Sequence, residues 1–229
     1  MSTPTNQGPL AEAREMIVND VAAGYRTRDE IIESVREMWD EDENTADIAP
    51  PDFVAEVDAA IRAHIEHQKQ WVGPTDCERL DAAFTELEVN GIVARQNFTC
   101  CQNCGFAEIG DEIDGARERG INVRGLTFFH QQDTESAVVG HGLHLAYAAI
   151  DDGTDAGPDE DAPAKAIAAE IVTTLQRHGL KPSWSGERSK RIELQLDWKR
   201  RFVVGDAPDS SPTSGGKRDL WAWLGLKRR

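Results

Sequence analysis

The sequence is short of several things, and each shortage excludes something. No run of about 18 apolar residues occurs, so nothing in the chain reads as a membrane-spanning helix. The opening, Met1 to Pro9, is polar and lacks the apolar centre of a signal peptide, which points to a cytoplasmic protein. Basic residues are scarce at the front: residues 1–90 carry 7 basic and 21 acidic side chains. A nucleic-acid surface is therefore not expected there. Cysteine is limited to four residues in 229, and in a cytoplasmic protein, where thiols stay reduced, clustered cysteines point to metal or redox chemistry rather than a structural disulfide. Three of the four fall within five positions, at Cys100, Cys101 and Cys104.

What is present begins with helices. After a polar leader over 1–9, Leu10, Ala13, Ile17 and Val21 recur at helical spacing, and Gly24 is a natural stop. Thr27 with Glu30, and Thr75 with Glu78, have the spacing of a capping box, in which each member of the pair caps the other's backbone N–H. The helices they start would bury Ile31, Val35, Met38 and Trp39, and Leu80, Ala83, Phe84 and Leu87. Between them, Pro50-Pro51-Asp52 opens a helix with Phe53, Val57, Ala60 and Ile61 on one face. Residues 10–91 thus read as an acidic helical domain of four helices.

The period changes at Ile92. Strands are expected near 92–100, 124–130, 143–149, 181–185 and 190–198, the last alternating Ile192, Leu194, Leu196 and Trp198 against polar neighbours. Helices are expected around Phe106–Ala116 and Ile167–Leu175, with Asp133 as N-cap of a short one over Thr134–Val139. The order β-α-β-β-α-β-β predicts an α+β fold over 92–204. It is a two-layer sandwich with helices on one face of a mostly antiparallel sheet. Asp151 to Asp161 reads as an acidic loop, 205–219 as a flexible linker and 220–229 as a short apolar, basic tail.

Chemistry concentrates between Asn97 and Tyr147. Cys101-Gln102-Asn103-Cys104 is a CxxC where a strand meets a helix. Two such thiolates wrap one side of a tetrahedral Zn²⁺, and Cys100, Cys77 and His130 are the leading candidates to complete the site. His141 and His144 are further donors nearby. The competing readings are thiol redox chemistry by Cys101 and Cys104, favoured by a helix N-terminus, and simple packing of small side chains. A Cys101–His130–Asp133 nucleophile set can also be drawn. Cys77, on the apolar stripe of its helix, suits the core better.

Lys181, Arg188, Lys190, Arg191, Lys199, Arg200 and Arg201 form a basic cluster. It fits RNA, or the acidic helical domain of the same or another copy, and tethering favours the second. The blocks Phe98-Thr99-Cys100-Cys101-Gln102-Asn103-Cys104-Gly105, His130-Gln131-Gln132-Asp133-Thr134-Glu135 and Leu196-Asp197-Trp198-Lys199-Arg200-Arg201 resemble an uncharacterised bacterial domain-of-unknown-function family, over about Thr75 to Arg201. That resemblance implies no activity. The order of strands and helices is loosely similar to the α/β-sandwich regulators of ribonuclease E. The leading reading is a cytoplasmic binding or regulatory module with a structural zinc site and a protein partner, rather than an enzyme. A thiol oxidoreductase and an RNA- or ribonuclease-associated regulator are the alternatives.

Overall fold

A computed structural model describes residues 8–150 and 159–202. The leader through residue 7, most of the acidic loop, the linker and the tail lie outside the described residues.

Local signals set the first four helices. Helix α1 (Pro9–Ala23) starts on a proline, whose missing N–H is no loss at that position, and stops at Gly24 in a left-handed conformation. Helices α2 (Arg28–Glu41) and α4 (Asp76–Val89) both carry the complete capping box, from Thr27 with Glu30 and Thr75 with Glu78. Helix α3 (Phe53–Gln68) is capped by the Asp52 carboxylate, which accepts from Ala55 N–H at 3.1 Å. The four do not share one core. Helices α1 to α3 close around Ile17, Ile31, Val35, Phe53 and Val57, with Trp39 edge-on to Phe53. Leu10, at the open end of α1, remains 40% exposed. The stripe of α4, Leu80, Phe84 and Leu87, joins the core of the sheet instead.

The sheet runs β1 (Ile92–Arg95), β2 (Gly125–Phe128), β3 (Leu143–Ala149), β5 (Ile192–Gln195), β4 (Lys181–Ser183) in spatial order. Only β1 and β2 are parallel, so the fold is α+β with a mostly antiparallel sheet. Helices α5 (Gln102–Glu118), α6 (Gln131–Val138) and α7 (Ala162–Arg177) complete it. The short helix expected over Thr134–Val139 is present as α6, beginning three residues earlier at Gln131. One feature differs from the pattern expected: helices cover both faces of the sheet. Against Ile92, Leu143, Leu145 and Ile192 lie α4 and α7, whereas α5 packs Ile109, Ile113 and Ala116 on Val93, Leu126 and Phe128. The reason is in the strands: β1 and β2 are buried at every position, so both of their faces need cover. Strand β5 alternates buried and exposed, and its open face carries Glu193, paired across the sheet with His144.

The strands are shorter than the alternation implied. Strand β1 stops at Arg95 because Asn97 and Thr99 take left-handed backbone conformations, φ 50° and 57°. Strand β5 stops at Gln195, and residues 196–202 cross to the helical layer. There Trp198 Nε1 donates to Ala22 O at 3.0 Å, and Gln68 brackets Phe202 through its backbone O (3.1 Å) and N (2.8 Å). Arg200 is largely enclosed between the turn after α1, at Gly24 and Tyr25, and α4, its side chain 14% exposed. Its guanidinium donates to Asp81, to the Tyr25 hydroxyl (2.9 Å) and to Gln96 Oε1 (3.0 Å), and lies 4.5 Å from the Tyr25 ring centre. Five of the seven basic-cluster residues pair with carboxylates of this chain, two of them, Arg200 and Arg201, with α4.

Candidate metal centre

The site is built by the turn that ends β1. Phe98 N–H donates to Phe129 O (2.8 Å), Gln131 N–H to Thr99 O (3.1 Å), and Thr134 Oγ1 to Asn97 Oδ1 (2.7 Å). These bonds hold loop 96–101 against the start of α6. With two residues in left-handed conformations, the alternation of a strand is lost, and Cys100 and Cys101 no longer point to opposite sides. Cys101 is the N-cap of α5 and Cys104 lies in its first turn. The three sulfurs fall within 4.8 Å of one another, with Cys100 and Cys104 in contact at 3.4 Å. All are free thiols; Cys100 is exposed and the other two half-buried. On the inner side Gly105 rests on the Phe128 ring, where an added Cβ would come within 2.6 Å of Phe128 Cζ.

Electrostatics separates the sulfurs. The backbone N–H of Cys104, at the free start of α5, favours the Cys101 thiolate most, and sulfur contacts with Cys104 and Cys100 and the N–H of Asn103 add to this, so that thiol lies below its ordinary value. Contacts with Cys100 and then Cys101, and the charges they develop, push the Cys104 thiol up to about 12. Three thiols this close resist joint ionisation unless a cation sits among them, and a divalent ion removes that repulsion.

The other expected donors lie elsewhere. Cys77 is 1% exposed on α4, and burial pushes its thiol up to about 12. Among the described residues the convergent group contains neither Cys77 nor His130. His130, placed in a strand by the sequence, is the N-cap of α6, and Asp133, expected to be that cap, instead returns the bond to His130 N–H. The Asp133 N–H donates to His130 Nδ1, which makes Nε2 the protonated nitrogen, 3.0 Å from Asp133 Oδ2. Arg191 reaches the same oxygen at 2.9 Å. Burial first, and Arg191 and His144 next, hold the imidazole below its ordinary pKa against the pull of Asp133. Both ring nitrogens are thus engaged within this cluster, which leaves the Cys101–His130–Asp133 nucleophile set without support.

Next to the cysteine turn lies a cleft of about 890 Å³. One side is Asn97, Phe98 and Thr99, and its walls carry Glu30, Glu33 and Glu37 of α2 with Glu108, Asp111 and Glu112 of α5. Sequence order gave no sign of it, since its acids come from helices some seventy residues apart.

Compared with known proteins, residues 6–202 match a family described as a domain of unknown function, DUF6891, and the chain belongs to it. The match takes in α1 to α3 as well as the segment from Thr75 onward. No curated protein and no solved structure matches the chain.

Proposed function

We propose that this protein is a cytoplasmic binding or regulatory module whose loop 96–101 is fixed to α5 by a zinc ion held on Cys100, Cys101 and Cys104. The observation that carries the reading is the convergence of three free sulfurs at the head of one helix. Thiolate donors select soft or borderline ions, and zinc binds them at about 2.3 Å. Three protein sulfurs leave one position of a tetrahedron open on the solvent side, for water or for a donor from a bound protein partner. The ion would tie loop 96–101 to the first turn of α5, so its role is structural.

Protein purified without chelator should contain about one zinc per chain. Replacing Cys100, Cys101 and Cys104 together with serine should remove the metal and lower the unfolding temperature, because metal binding is coupled to folding. Metal-free wild-type protein that neither binds added zinc nor gains stability from it would sink the proposal. The rival reading, a thiol oxidoreductase, draws on the Cys101 thiolate favoured by α5. It predicts that metal-free protein turns over a small disulfide substrate catalytically.

A further inference from the structure

We infer that the cysteine turn is a peroxide-sensitive latch, in which a hydroperoxide joins Cys100 to Cys104 as a disulfide and discharges the ion. The release half of this inference rests on the zinc reading above; the disulfide half does not. Three observations carry it. Cys100 is the exposed sulfur of the three, so a small oxidant meets it first. Its sulfur already touches that of Cys104, and closing to a disulfide requires a further approach of only roughly 1.4 Å. The two cysteines belong to different elements, loop 96–101 and α5, and the bonds from Phe98, Thr99 and Asn97 to the start of α6 keep the loop where that approach is short. Cys101 is the poorer partner for Cys100, because a bridge between adjacent residues closes a small ring around their shared peptide.

The chemistry balances with the peroxide as the two-electron oxidant. The Cys100 sulfur attacks the outer oxygen, the O–O bond breaks, and the alcohol (water, for hydrogen peroxide) departs with the thiol proton, leaving a sulfenic acid. The Cys104 sulfur then attacks that of Cys100, the S–O bond breaks, and water leaves with the second thiol proton. From zinc-bound thiolates, solvent supplies both protons. Two thiols are oxidised to one disulfide and one peroxide is reduced. Only Cys101 is then left to hold the ion, and one thiolate does not retain zinc. The loop that the bond captures is also one side of the acidic cleft, so oxidation replaces a metal contact there by a covalent one.

The test treats zinc-loaded, full-length protein with hydrogen peroxide while a zinc-binding dye and the intact mass are followed. One zinc should appear per loss of two hydrogens, and a thiol reductant should restore binding. The Cys101→Ser variant, although weakened for zinc, should still lose two hydrogens. Cys100→Ser should react at least tenfold more slowly than wild type, because the first attack is removed. Zinc retained after the disulfide forms, a Cys101→Ser variant that forms none, or a Cys100→Ser variant as fast as wild type each overturns the inference. A protein that never takes up zinc overturns the function proposed above, while its mass change with peroxide still decides the disulfide.

Discussion

Replacing Gly105 with alanine sets two effects against each other on one residue. Gly105 lies inside α5, and in a helix interior alanine is favoured over glycine by about 1 kcal/mol. The new methyl group, however, would stand 2.6 Å from Phe128 Cζ and 3.1 Å from Cδ2. That ring is fully buried and boxed in by Phe98 and Phe106, with centroids 6.0 and 5.1 Å away. It cannot swing aside, so the first turn of α5 must lift. Overpacking of this kind costs about 1–3 kcal/mol, and a contact this deep belongs near the upper end. The net expectation is a loss of about 1–2 kcal/mol, or about 2–8 °C in Tm for a chain of this size. Gly110 provides the internal control. It occupies the same helix with nothing within 4 Å of an added Cβ, so Gly110→Ala should stabilise by up to about 1 kcal/mol. Urea denaturation of both variants gives opposite signs if the packing is as described. The lifted turn should also weaken zinc, because Cys104 is the preceding residue. A Gly105→Ala protein as stable as the Gly110→Ala protein would refute the reasoning.

Asp81→Ala should cost about 2 kcal/mol in urea denaturation, because it strips a carboxylate from an Arg200 whose side chain is only 14% exposed. Arg200→Met should cost less, since the 46% exposed Asp81 is free to take up water; the reverse order would contradict the burial argument. A pH dependence should be traceable to His130, which faces Asp133, Arg191 and His144. Its folded-state pKa is depressed, so as pH falls below about 6.5 the unfolded chain binds a proton that the folded chain refuses. Stability then drops by up to about 1.4 kcal/mol per pH unit until the folded pKa is reached. In metal-free protein, His130→Asn keeps a capping side chain and should flatten that slope; an unchanged slope would assign it elsewhere.

What the sequence made legible was local. Thr27 with Glu30 and Thr75 with Glu78 start their helices as their spacing implies, since a capping box needs only residues three apart. The alternation of Ile192 and Leu194 likewise announced which face of β5 is buried. What stayed hidden was decided by residues far along the chain. The apolar stripe of α4 could not say whether it met other helices or the sheet. The left-handed Asn97 and Thr99 are held by bonds to Phe129, Gln131 and Thr134, and without them Cys100 would be read, by strand alternation, as pointing away from its neighbour. The basic cluster pointed toward the acidic helices, as the ion pairs of Arg200 and Arg201 with α4 bear out, but nothing in it marked Arg200 as the member to be enclosed. Its partners Tyr25 and Asp81 lie on segments that the linear order keeps remote.

The crossing of residues 196–202 onto the helical layer also fixes an order of events during synthesis. Trp198 finds Ala22 across 176 positions, and Arg200 finds Asp81 across 119. Contacts this long-ranged close late, because their chain entropy is lost only once most of the protein is already in place. On the ribosome, α1 to α3 emerge early enough to collapse around Ile17 and Phe53. Tyr25, Asp81 and Gln96 must stand uncovered until nearly two hundred residues have been made. A chain stalled before Arg200 would display that open seam, and a protease or chaperone able to sense it would be distinguishing unfinished copies from complete ones.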